Sequence, residues 1–166
     1  MSGGRLEFGI GHGFIKWESL TFGTPLKELR DRFKENLDVI LKAWSEPKFT
    51  HKGKSYQYDN VELLPRPVQQ PHPTVWMGAT STAESFEFAG RSGFHLMLIP
   101  FLHELDELRS MVEIYLSARR TTGHDPLTSR VIAMYHMYVG ESSAEARATA
   151  EPALAAHHAA AAEARN

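Results

Sequence analysis

Residues 74–99 read TVWMGATSTAESFEFAGRSGFHLMLI, and the order of residue types in that stretch decides the fold. Thr74-Val75-Trp76-Met77-Gly78 is a short β-type run, and Ala79-Thr80 carries the chain out of it. Ser81 and Glu84 then stand at capping-box spacing, which predicts a helix running toward Arg91. Gly93 breaks that helix, and Phe94 to Ile99 reads as the next strand, closed by Pro100. A strand, a helix and a strand in such short succession make a parallel unit with a right-handed crossover.

The same alternation extends both ways. Upstream, Arg5 to Ile10 reads as a strand that ends in a loop where Gly9, Gly11 and Gly13 alternate with Ile10 and His12, before Phe14. Lys16 to Gly23 reads as a loop. Thr24 can cap and Pro25 suits a first helical position, while Leu26, Leu29, Phe33, Leu37, Ile40, Leu41 and Trp44 recur at helical spacing to about Trp44. Lys48 to Leu64 predicts a small hairpin around Lys52-Gly53, and Pro65, Pro67, Pro71 and Pro73 then forbid helix.

Downstream, His103 to Thr121 carries Leu105, Leu108, Val112, Tyr115 and Leu116 on one face and stops at Gly123, before Asp125-Pro126. Val131 to Val139 is apolar on nearly every residue, the pattern of a parallel strand covered on both faces. Ser142 and Glu145 repeat the capping-box spacing, and residues 144–166 form an alanine-rich terminal helix with little side-chain volume to pack. The expected class is α/β, with about four parallel βα units and a hairpin excursion.

With 166 residues, 42% apolar and 23% charged, the chain is expected to be one globular domain with a real core. Its formal charge of −2, from 18 basic and 20 acidic side chains, offers no field for nucleic acid and no polybasic patch for lipid. The absence of cysteine removes disulfides, thiolate nucleophiles and thiolate metal sites. No secretory pattern follows Met1 and no apolar run approaches membrane-spanning length, so no membrane partner and a cytoplasmic location are expected.

In parallel α/β folds ligands bind at the carboxyl ends of the strands. Here those ends are residues 11–14, 78–82, 99–102 and 139–142. Gly78-Ala79-Thr80-Ser81-Thr82 joins a strand end to a helix N-terminus with small residues, hydroxyls and unpaired N–H groups, a combination that suits phosphate and equally suits an ordinary capped helix. Gly9 to Gly13 misses the dinucleotide fingerprint because Phe14 occupies the third glycine position, and His12 there reads as a structural hydrogen-bonding residue. His136 falls inside the expected fourth strand, as a core histidine. Glu84, Glu87, Glu104, Asp106, Arg119 and Arg120 read as solvated helix charges, no histidine pair has metal-ligand spacing, and no Gly-x-Ser-x-Gly elbow is present.

Taken in order, Ser2-Gly3-Gly4-Arg5-Leu6 through Gly13, Trp17-Glu18, Phe22-Gly23, Pro25 to Trp44, Gly53-Lys54 before Tyr56, Leu64-Pro65-Arg66-Pro67-Val68-Gln69 before Pro73, Gly78-Ala79 and Gly123-His124-Asp125-Pro126 resemble the bacterial luciferase-like, flavin-dependent monooxygenases. The resemblance implies a TIM-type (β/α)8 barrel that binds reduced FMN, or in some branches a deazaflavin, at the strand C-termini. It implies that Gly78, Ala79, Thr80, Ser81 and Thr82 hold the phosphate, with Arg30 as a basic partner and His12 facing the cofactor. Other members often carry arginine at the position of His12. A full barrel has eight strands, so the chain is expected to be a single luciferase-like domain over residues 1–166, incomplete at both ends.

The function implied is monooxygenation of a small organic substrate with reduced flavin and O2, with a flavin reductase as a partner and weak or no activity of this piece alone. The alternative is a non-catalytic flavin- or phosphate-binding half-barrel that acts through self-association. Either way, open sheet edges predict a homo-oligomer. The catalytic base, which the resemblance places on strands outside this sequence, stays unassigned.

Overall fold

The computed structural model describes residues 2–13 and 16–165, so Phe14, at the end of the first strand's loop, lies outside the described residues. In chain order the elements are β1 (Glu7–Ile10), α1 (Lys16–Thr21), α2 (Leu29–Ser45), β2 (Phe49–Lys52), β3 (Gln57–Val61), β4 (Thr74–Gly78), α3 (Ala83–Arg91), β5 (His95–Leu98), α4 (Leu105–Thr121), β6 (Val131–Ala133) and α5 (Ser143–Arg165). Four strands form one parallel sheet in the order β1-β4-β5-β6, and β2 and β3 form a separate antiparallel pair. The parallel alternation and the hairpin excursion are therefore both present.

Residues 1–11 and 33–135 form one compact unit. Its core follows from the period of two along the strands: Phe8, Ile10, Val75, Met77, Leu96 and Leu98 point to one face. Phe33 and Leu37 of α2, Phe86 and Ala89 of α3, and Tyr115 of α4 cover that face. Phe86, Leu96 and Tyr115 are fully buried, and each such side chain contributes about 2 to 3 kcal/mol. Register places Gly9, Trp76 and His95 side by side on the opposite face, next to a row of Gly78, Met97 and Ile132.

That second face is polar at one end. Trp76 donates its indole N–H to Glu7 Oε2 at 2.5 Å, the Arg130 guanidinium lies 4.8 Å from the Trp76 ring centroid, and the His95 ring packs 4.8 Å from the same ring. His95 Nδ1 accepts from the Arg130 N–H at 3.3 Å. Burial first, then the charges of Arg130 and Arg119, hold the His95 ring below the usual imidazole range, against the opposing pull of Glu7.

The hairpin is tied to α2 chiefly by the Glu35 carboxylate, with Asp38 Oδ2 3.3 Å from His51 Nδ1 beside it. Glu35 Oε1 accepts from the Tyr56 N–H at 2.9 Å and lies 3.2 Å from His51 Nε2, while its two oxygens share the Ser55 N–H at 2.9 and 3.0 Å. Gly53 leaves room for this head group, since an added Cβ would stand 1.9 Å from Glu35 Oε1 and 2.3 Å from His51 Nε2. Burial opposes ionisation of Glu35, yet the Tyr56 and Ser55 N–H groups and the His51 ring outweigh it and hold the carboxyl at about 2, below its ordinary 4.5. A folded value below the unfolded one stabilises the fold above about pH 4.5, and that contribution is lost as pH falls toward 2. Urea titrations at neutral and acid pH should therefore show a smaller acid loss in Glu35→Gln than in wild type. Equal acid losses would remove Glu35 as the cause.

Residues 12–32 and 136–166 form a second compact unit, holding α1, the 3₁₀ turn Leu26–Glu28 and α5. Thr24 N–H donates to Ser19 O at 2.9 Å and the Ser19 hydroxyl donates back to the Thr24 carbonyl, which closes the turn after α1. At α5, Ser142 Oγ accepts from the Glu145 N–H at 3.2 Å and Glu145 Oε2 accepts from the Glu141 N–H at 3.0 Å. This is a capping box reaching one residue further back than the usual form.

Several expectations change. Residues 16–21 are a short helix rather than loop, because a single turn and a half carries no readable period. Thr24 caps nothing here: Pro25 precedes the Leu26–Glu28 turn, without a side-chain capping bond. β6 stops at Ala133 instead of Val139, and Val131, Ile132, Met134 and Tyr135 are exposed. The run is apolar enough for a strand covered on both sides, but β6 is an edge of this sheet. His136 accordingly lies beyond the strand and is exposed, its ring 5.0 Å from that of His157. Arg119 is no solvated charge, being 3% exposed.

Candidate functional site

The site-bearing end of the sheet is its carboxyl edge, where β4 and β5 give way to loops. Gly78 is the last residue of β4 and Ala79 continues its ladder, donating its N–H to Met97 O at 3.0 Å while its methyl group is buried. Ala79 is thus held by the sheet. Thr80 is half-buried, and Ser81 and Thr82 are exposed immediately before α3.

α3 starts one residue later than the Ser81–Glu84 spacing predicts. Thr82 is its N-cap, in extended backbone and without a side-chain capping bond. The Thr82 and Ser85 hydroxyls meet at 2.8 Å, and Ser85 and Phe86 N–H groups both turn to Thr82 O. The shift puts two exposed hydroxyl residues, Ser81 and Thr82, at the positive end of the α3 dipole. A phosphate fits that donor set: small residues, hydroxyls and a helix N-terminus, with Gly78 leaving the strand end bare.

β5 supplies the neighbouring wall. After Leu98 the chain turns through the 3₁₀ segment Pro100–Leu102 to His103, whose side chain is 6% exposed. His103 Nε2 bonds the Thr80 carbonyl, and Nδ1 lies 3.2 Å from Glu107 Oε2 on α4. No motif pointed to His103; its contact with Thr80 joins residues 23 apart.

The other predicted residues belong to the second unit. His12 is half-buried with Nδ1 3.3 Å from Gly13 O, and Arg30 is exposed in the first turn of α2. The loop 78–82 is brought together within the first unit, and His12 and Arg30 are held within the other. A small cleft of about 230 Å³ lies beside the end of β1, between Gly9 to Gly11 and the Phe33, Asn36 and Leu37 side of α2. Among the described residues no helix is long and apolar enough to cross a membrane.

A parallel sheet with helices on one face, a barrel-type inner row on the other and an anion-compatible strand end defines part of a TIM-type barrel. The family is shown directly, since the luciferase-like monooxygenase profile matches residues 1–166, and the chain belongs to that family. A monooxygenase from Streptomyces bottropensis, RslO1, superposes with a TM-score of 0.87 at 29% identity, over 98% of this chain and 50% of that one. The oxygenase component of a flavin-dependent trigonelline monooxygenase from Acinetobacter baylyi is 27% identical over 90% of this chain and 41% of its own length. An FMNH2-dependent dimethylsulfone monooxygenase from Pseudomonas putida is 32% identical over 49% of this chain. The chain spans about half the length, or less, of the relatives it matches.

Proposed function

We propose that this chain carries the phosphate end of the flavin site of a luciferase-like monooxygenase that uses reduced FMN and O2 on a small organic substrate. The observation that carries the reading is the loop at residues 80–82, which sits at the α3 N-terminus on a chain matching the family throughout. The relatives named for reduced flavin and for trigonelline or dimethylsulfone support the cofactor and the substrate class. A deazaflavin is the second cofactor the family resemblance allows.

Thr80, Ser81 and Thr82 would hold the phosphate, with Gly78 and Ala79 shaping the strand end and Arg30 and His12 contributing as the resemblance implies. The flavin, when bound, supplies the reaction with O2; the protein supplies orientation and exclusion of water. A flavin reductase would deliver the reduced cofactor. We read residues 1–166 as one luciferase-like domain that needs further strands, and the free edges β1 and β6, with exposed Val131, Ile132 and Tyr135, favour a homo-oligomer in which a second copy covers them. A cytoplasmic location suits a reductase-fed enzyme.

Anaerobic titration with reduced FMN, with oxidised FMN and with a deazaflavin tests the site, on samples whose mass is followed by sedimentation. Reduced FMN should bind, Arg30→Ala should weaken it about tenfold, and the binding species should be larger than one chain. Oxygen uptake with NADH, a flavin reductase and trigonelline or dimethylsulfone then tests turnover. Absence of flavin binding in every oligomeric form sinks the reading; binding without substrate-dependent uptake sinks its catalytic half.

A further inference from the structure

His103 meets an acceptor at each ring nitrogen. Nε2 faces the Thr80 carbonyl, Nδ1 faces the Glu107 carboxylate at 3.2 Å, and the side chain is almost fully buried. The two contacts fix the ring between the 80–82 loop and α4.

We propose that His103, anchored on Glu107, is the positioning residue of the 80–82 loop and sets its affinity for a phosphate group. This rests on the flavin-phosphate reading of that loop. In a trans peptide the carbonyl and the following N–H point in opposite directions. With the Thr80 carbonyl drawn onto His103, the Ser81 N–H is aimed away from the histidine, on the side where Ser81 and Thr82 are exposed. Without the His103 side chain the Thr80 carbonyl is free to turn, and the Ser81 N–H turns with it.

The surrounding charges leave Glu107 as the partner. On the His103 and α4 side, Glu104 and Asp106 are exposed and Asp106 pairs with Arg109 at 3.2 Å. On α3, Glu84 is exposed in the first turn. Glu107 itself is half-exposed while its partner is enclosed.

The test uses the whole chain, with binding of inorganic phosphate and of FMN followed by calorimetry. His103→Leu should weaken both ligands at least tenfold, Glu107→Gln should weaken them less, and His103→Gln, which keeps a donor for the Thr80 carbonyl, should recover part of the loss. Wild-type affinity in folded His103→Leu and His103→Gln overturns the proposal alone. A wild-type chain that binds neither phosphate nor FMN overturns the flavin reading and this proposal with it.

Discussion

Gly90→Ala is expected to lower stability by about 2 to 3 kcal/mol, although alanine is the better helix former by about 1 kcal/mol. Gly90 lies inside α3 where that helix crosses α4, and a Cβ there would stand 2.3 Å from the Tyr115 carbonyl oxygen and 2.8 Å from Ala118 Cβ. The first of these atoms is backbone in the middle of α4, so it cannot swing aside as a side-chain tip would. The helices must separate, and the neighbours that lose contact are Phe86, Ala89 and Tyr115, all fully buried. The propensity gain is the smaller term. Urea unfolding of Gly90→Ala beside Ser117→Ala, an exposed change on α4 expected to stay within about 0.5 kcal/mol, measures the difference. A Gly90→Ala midpoint at or above wild type would show that α3 and α4 can move apart at no cost. Because Thr82 begins α3, the separation should also weaken phosphate or FMN binding at residues 80–82 in whatever fraction stays folded.

Gly90 also shows where a single sequence stops being informative. The alternation of strand and helix was legible because each element writes its own period: two in Val75 and Met77, four in Phe33, Leu37 and Leu41. The class of fold followed from that order. What periods do not write is the partner. The run 131–139 is apolar on nearly every position, and apolarity says that a segment wants cover without saying which strand supplies it; β6 at the sheet edge pairs with β5 at Val131, Ile132 and Ala133. Gly90 carried no signal of its own in the sequence, and its reason is a carbonyl on another helix.

The candidate site divides in the same way. The strand end, small residues and helix start at 78–82 could be read directly, although the cap fell on Thr82 and Ala79's N–H proved to belong to the sheet. Arg30 entered only through family resemblance, since a lone arginine in a first helical turn has no pattern of its own. His103 was invisible for a physical reason: it acts on a main-chain carbonyl, and carbonyls leave no mark in the sequence. Arg119 was misread for the same reason, because four neutral groups, two of them carbonyls, hold it instead of a carboxylate spaced along the helix.

Arg119→Ala is expected to cost about 3 kcal/mol, and Arg119→Lys to recover less than half of that. Nη1 donates to Phe94 O at 3.0 Å and to the Tyr115 hydroxyl at 3.4 Å; Nη2 donates to Thr128 Oγ1 at 3.2 Å and to Asp125 O at 3.3 Å. One fork thus joins α4 to the start of β5 and to the 3₁₀ turn Pro126–Thr128 that leads into β6. A lysine ammonium is a single point and cannot span both ends. The cost is limited from above twice over: Phe94 O keeps the Tyr115 hydroxyl at 2.8 Å, and Arg119 Nε is buried without a hydrogen-bond partner, an expense that the alanine variant removes. Two titrations report on the same change independently of stability. Tyr115 is pushed up by burial and pulled back by the Arg119 charge, so losing the charge should raise it further. His95 is held low by burial, then Arg130, then Arg119, so its ring should titrate at higher pH in Arg119→Ala. NMR of the His95 ring in folded variant and wild type measures this directly. An unchanged His95 titration together with an unchanged unfolding midpoint would mean that the guanidinium is not seated between β5 and α4.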